Sequence, residues 1–140
     1  MHHVWSVLCS HSLIDQETNN ISLFGVLEQI SATGPPVTGE RQAVPINCEL
    51  VTLWSRSIPD QSETGRFRLR CETPNTLLFE SEGDIDLTNH RRRRLRAKID
   101  LLPVPETATY YFRMCLWNAA DNDWCEVAAI PLDVEINVQE

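Results

Sequence analysis

Apolar and polar positions alternate along most of the chain, in short runs broken by turn residues, and this period of two predicts strands. The runs fall at residues 3–14, 20–30, 43–56, 65–73, 76–88, 92–102, 108–118, 123–130 and 132–139. No window keeps a helical period, and no internal repeat or domain linker interrupts the series. A Gly/Pro-rich stretch from Ser31 to Arg41 separates the first pair of segments from the rest. Near the end the parity changes: Cys125, Val127 and Ala129 share one face, whereas Leu132, Val134, Ile136 and Val138 take the other. A bulge or sheet switch at Pro131 is expected there, because proline cannot donate to a ladder. The pattern predicts one all-β domain over 1–140, a two-sheet antiparallel sandwich, immunoglobulin-like or C2-like, with about eight to nine strands.

The charges within these segments alternate as well. Arg66, Arg68 and Arg70 occupy one face of segment 65–73, and Glu80, Glu82, Asp84 and Asp86 one face of segment 76–88. Arg92, Arg94, Arg96 and Lys98 do the same in segment 92–102. Pairing the first two across Pro74-Asn75-Thr76 sets Arg70 against Glu80, Arg68 against Glu82 and Arg66 against Asp84, with Cys71 meeting Phe79 behind them. Pairing the last two across Asn89-His90-Arg91 sets Asp86 against Arg94, Asp84 against Arg96 and Glu82 against Lys98, with Glu80 opposite Asp100 as the one mismatch. Both registers satisfy charge and burial together, and a one-residue slip would ruin both. The second pairing fails if the chain crosses between sheets after Asp86, as immunoglobulin-type topology requires at that point.

This ladder bears on the most tempting motif, Arg91-Arg92-Arg93-Arg94. Four consecutive arginines resemble a nucleic-acid patch, with His90, Arg91, Arg92 and Arg93 as the candidate anion-binding residues. On a strand they point alternately to opposite faces, and an acidic neighbour would neutralise half of them. A formal charge of −8 also argues against nucleic acid or an anionic membrane as a partner.

Segments 3–14 and 20–30 are apolar on both faces, which a half-solvated hairpin should not be. Either loop 31–44 covers this hairpin or another subunit does. Trp5, Val7, Leu8, Phe24 and Val26 are the expected interface residues of a homodimer.

At 140 residues the chain buries roughly 68% of its unfolded surface, enough to fold without a metal or staple. Five cysteines, an odd number with long spacings and no C-x-x-C, read as reduced thiols among apolar neighbours and point to a cytoplasmic setting. No apolar run reaches a membrane-spanning length of about 18–20 residues, and the first residues lack the cationic start of a secretory signal. Asp15, Glu17, Asn19, Asn20, Asp60, Glu63, Asp121, Asn122 and Asp123 fall in loops expected at one end, where calcium is a conceivable ligand. Turns favour Asp and Asn for local bonding, however, and no EF-hand spacing is present. Trp117 and Trp124 should pair across the turn between their segments, as a structural pair or as a platform for a sugar or peptide. The histidines show no metal-ligand spacing, and no nucleophile elbow, P-loop or dinucleotide turn occurs. The expectation is therefore a non-catalytic binding or assembly module without a cofactor, acting on a protein partner or on itself.

The N-terminal stretch Val7-Leu8-Cys9-Ser10, Leu13-Ile14-Asp15, Thr18 to Leu23 and Val26-Leu27-Glu28 resembles a family of small uncharacterised prokaryotic proteins. In that family a hairpin carrying Cys, then Asp, then Ser-Leu opens the domain, and a late Pro-x-x-x-x-Tyr-x-Phe strand recurs, as in Pro105 to Phe112 here. Thr109 stands where the family has Gly before the tyrosine. The resemblance implies a β-sandwich and no particular activity.

Overall fold

The alternating segments become nine strands in a computed structural model that describes residues 1–34 and 42–138. They are β1 (His2–Ile14), β2 (Ile21–Val26), β3 (Gln29–Gly34), β4 (Gln42–Ser55), β5 (Thr64–Glu72), β6 (Leu77–Asp86), β7 (Arg92–Val104), β8 (Ala108–Asn118) and β9 (Asp123–Val138). A four-stranded sheet has the order β2-β1-β4-β7, and a five-stranded sheet the order β3-β9-β8-β5-β6. The two pack as a sandwich. Every pairing is antiparallel except β3 with β9, which is parallel.

Two expectations about element boundaries change. The run 20–30 is not one strand: Val26 ends β2, Leu27 donates its amide to the Leu8 carbonyl, and the chain then enters the other sheet as β3. The Gly/Pro-rich stretch accordingly starts as strand, and its remainder, residues 35–41, lies outside the described residues. The runs 123–130 and 132–139 form one strand, β9, through Val138. Pro131 sits in regular register opposite Tyr111, and the irregularity falls earlier, between Met114 and Cys115 on β8. Val127 is the extra residue there, since Ala128 pairs with Met114 and Glu126 with Cys115.

The core fills with the inward residues of both sheets. Leu8, Leu50 and Trp54 come from one side, and Leu69, Cys71, Ile85, Tyr110, Phe112 and Leu132 from the other. Buried polar atoms find local partners: Trp54 Nε1 donates to Thr52 Oγ1 at 2.7 Å, and the Tyr110 hydroxyl donates to the Glu106 carbonyl at 2.7 Å. The second bond pins the start of β8 to the turn before it, in the manner of a tyrosine corner. Phe67 lies opposite Gly83, and a Cβ on Gly83 would come within 2.6 Å of its ring. Glycine is needed there for space. Gly83→Val should therefore destabilise the fold by about 1–3 kcal/mol, checked by urea unfolding, whereas Gly83→Ser at the same site should cost less.

All five cysteines are free thiols, four buried and Cys125 exposed. Burial pushes the Cys71 thiol up to about 12 and the Cys48 thiol up to about 11. Thiolate is the reactive form, so both are inert in the folded protein. Alkylation under native conditions at mild pH, read by intact mass, should add one label at Cys125 and reach the remaining thiols only after unfolding.

Candidate functional site

Two surfaces carry the residues singled out by sequence: the charged faces and edges around β5, β6 and β7, and the β1–β2 hairpin. The β5–β6 half of the charge ladder forms in the expected register, with Arg66 opposite Asp84, Arg68 opposite Glu82 and Arg70 opposite Glu80. Arg68 meets Glu82 at 2.6 Å and Arg70 meets Glu80 at 3.2 Å. Arg66 instead reaches diagonally to Glu82 at 3.2 Å, so Asp84 makes no ion pair among the described residues. On the far side Arg113 of β8 binds Glu72 and, at 2.8 Å, Glu126 of β9. The outer face of the five-stranded sheet is thus a woven set of charges with little net sign.

The other half of the ladder does not exist. β6 is the edge of its sheet, and β7 pairs with β4 in the opposite sheet, setting Arg94 against Leu53, Arg96 against Val51 and Lys98 against Glu49. The physical reason is the segment between them. Ile85 and Leu87 are fully buried, and the Leu87 amide bonds to the Glu63 carbonyl. Arg56 donates to the carbonyls of Leu87, Thr88 and Pro59 at 2.8–2.9 Å, so the turn is clamped from the β4 end. Hydrophobic burial and these charge-assisted bonds outweigh exposed ion pairs worth about 0.2–1 kcal/mol each.

The arginine run therefore has other partners than the acidic strand. Arg91 pairs with Asp60 at 2.6 Å, Arg93 approaches the Asp86 carbonyl at 3.4 Å, and Arg94 holds both Asn19 oxygens at 2.7 Å. Of the four candidate anion ligands, His90 and Arg92 make no hydrogen bond or ion pair among the described residues. The structure does not converge all four on one point. The same contacts draw the β1–β2, β4–β5 and β6–β7 loops to one end of the sandwich, as the alternation of strands requires.

Two acidic residues of that end bond within their own turns, whereas Asp60 and Glu63 reach Arg91 and the N-terminus. Asp15 accepts the amides of Glu17 and Thr18 within its own turn, and Asp121 takes the Asn118 amide group at 2.5 Å. Among the described residues no group of three or more His, Cys, Asp or Glu is arranged to hold a metal ion. Trp117 and Trp124 stand opposite each other with ring centroids 5.3 Å apart at 69°, edge to face. The guanidinium of Arg68 lies 4.2 Å from the Trp124 ring, and that of Arg66 lies 5.6 Å from Trp117. These cations occupy the aromatic faces that a sugar or peptide would use.

On the hairpin, Phe24 and Val26 are 41% and 58% exposed, while Trp5 and Val7 are half-buried. Leu8 is the correction: at 1% exposure it belongs to the core between the sheets and presents nothing to a partner. Outside the expected interface set, Leu13 is exposed on the same face as Phe24 and Val26, Ile14 on the opposite face, and Val4 on the stretch of β1 beyond β2. Phe24 stacks on His11 at 4.7 Å with the rings nearly parallel. Gly25 takes a left-handed φ of 60° beside Ser10, whose hydroxyl occupies the space of a side chain and donates to the Gly25 carbonyl.

The sequence matches no family model and no curated protein. Among the described residues no helix is long and apolar enough to cross a membrane.

The charged face also sets a pH response. Arg68 beside Glu82 holds that carboxyl below its ordinary value of 4.5, and Thr88 holds Asp86 below 3.8, with smaller help from Arg93 and His90. Because the folded values are depressed, the stability these groups contribute is complete above those ordinary values. It is lost as the pH falls through the depressed ones. Urea midpoints should fall between pH 6 and pH 3, and Glu82→Gln with Asp86→Asn should flatten that dependence.

Proposed function

We propose that this chain is a non-catalytic binding and assembly module that associates with a second copy of itself through the β1–β2 hairpin, in a reducing, cytoplasmic setting. The observation that carries this reading is the exposure of large apolar side chains on one face of the hairpin, where Leu13, Phe24 and Val26 lie together, with Ile14 exposed on the other face and Val4 farther along β1. Five of eight such residues in the described chain lie on β1 and β2, whereas scattered singles would be ordinary. The free thiols support the compartment, since paired cysteines would be expected in an oxidising one. The resemblance to small prokaryotic sandwich proteins belongs to the same reading and adds no activity to it.

The anion-binding reading of His90 to Arg93 is the weaker one. Arg91 and Arg93 already donate to oxygens of this chain, and an incoming anion would have to displace them. A catalytic reading has Ser6 Oγ beside His3 Nε2 at 2.6 Å to start from, but among the described residues no carboxylate hydrogen-bonds that imidazole to orient it.

The hairpin contact is apolar and should survive salt. In about 0.5 M salt, where ionic contacts are screened, light scattering at tens of micromolar should give twice the 16.0 kDa chain mass. Val26→Lys with Phe24→Glu should return the monomer mass, with an unfolding midpoint that no longer depends on protein concentration. A wild-type monomer under these conditions, or a dimer indifferent to both substitutions, would contradict the proposal.

A further inference from the structure

We propose that the β6 and β7 edges together form a second docking surface, and that its occupant is another copy of this chain bound through complementary strand edges. This goes beyond the hairpin contact and does not depend on it. β6 and β7 are the terminal strands of opposite sheets, joined by the short turn 87–91, so they lie side by side at one flank of the sandwich. β2 and β3 form the other flank. Among the described residues no backbone hydrogen bond caps the outward side of β6 or β7.

The two edges carry opposite signs. The outward side chains of β6 are Glu80, Glu82, Asp84 and Asp86, and those of β7 are Arg92, Arg94, Arg96 and Lys98. Like charge on an edge is the usual device against edge-to-edge pairing, and here it forbids β6 from joining β6 and β7 from joining β7. A two-fold axis parallel to the strands does something different. It rotates the second copy so that its β6 lies beside β7 of the first, and its β7 beside β6 of the first. Because β6 and β7 run in opposite directions, both new pairings are antiparallel, and each sheet of one copy continues into a sheet of the other. The interface is self-complementary, as two-fold symmetry demands.

Charge and apolar exposure select the same register. Setting Glu80 against Lys98 places Glu82 against Arg96, Asp84 against Arg94 and Asp86 against Arg92, with no like-charge pair. The same register brings Leu77 opposite Leu101, which are 43% and 59% exposed and lie at the matching ends of the two edges. Pro103, the only proline of β7, falls beyond this span. Asp84, Arg92 and Lys98 make no ion pair within the described chain, so they are available to a second copy. Main-chain bonds would supply affinity and the charges would fix register and partner, as in other strand additions.

The test uses the 140-residue chain carrying Val26→Lys with Phe24→Glu, which removes the hairpin contact, so that its failure and failure of the hairpin reading are read separately. Sedimentation should show dimers at about 50 mM salt that dissociate at about 0.5 M. Asp84→Lys, or the reversal of its register partner, Arg94→Glu, should each weaken self-association on the order of tenfold or more. An equimolar mixture of the two reversed chains should recover dimers, because each then offers what the other lacks. Association indifferent to salt and to both reversals, monomers at low salt in the parent chain, or a mixture that behaves as two monomers would overturn the proposal. The salt dependence of the parent decides the matter even if a reversed chain fails to fold.

Discussion

Burial of Ile85 and Leu87 at the end of β6 is the constraint on which the rest of this structure turns. Once these side chains enter the core, the chain after Asp86 cannot double back as a simple hairpin on its own sheet. It crosses instead to the opposite sheet, with Arg56 holding the carbonyls of Leu87 and Thr88 and the Leu87 amide held by Glu63. Fully burying one such side chain stabilises by about 1.5–3 kcal/mol, more than any single exposed ion pair returns. Apolar burial chooses the topology, and charge then acts inside the topology chosen.

That order of authority explains what was legible in the sequence. The β5–β6 register was readable because there charge alternation and apolar alternation agree, and Cys71 meets Phe79 as surely as Arg68 meets Glu82. The β8–β9 pairing of Trp117 with Trp124 was readable for the same reason, since a tight turn fixes register locally. The β6–β7 pairing looked equally good on paper. It failed because an isolated chain segment carries no record of which sheet its neighbour occupies, and a long-range clamp from Arg56 decided it. The parity change near the C-terminus was seen, but proline drew it to position 131, whereas the unpaired residue is Val127. The split of 20–30 into β2 and β3 carried a cue in Gly25, whose left-handed φ lies one residue before the end of β2.

Surfaces were harder to read than strands. The two-faced apolar hairpin was visible as composition, yet which residues remain exposed depended on β1 lying between β2 and β4, which buries Leu8 and Cys9, whereas β2 is an edge strand and leaves Phe24 and Val26 outside. The arginine run misled through its density. In the fold its members serve three separate loops, as ties from β7 and its preceding turn to Asp60, Asp86 and Asn19. What remains unspent is a linear array of opposite charges on two adjacent edges, a feature of the assembled sandwich that no single segment displays.

The separation of β6 from β7 is best tested by cross-strand proton contacts in solution, measured by NMR at high ionic strength and low concentration, where copies are apart. The account predicts backbone contacts from β7 to β4, among them Val51 near Arg96, together with β5–β6 contacts such as Arg68 near Glu82, and none between Asp84 and Arg96. Backbone contacts joining Asp84 to Arg96 within one chain would show a hairpin where two open edges are claimed, and the account would fall with them.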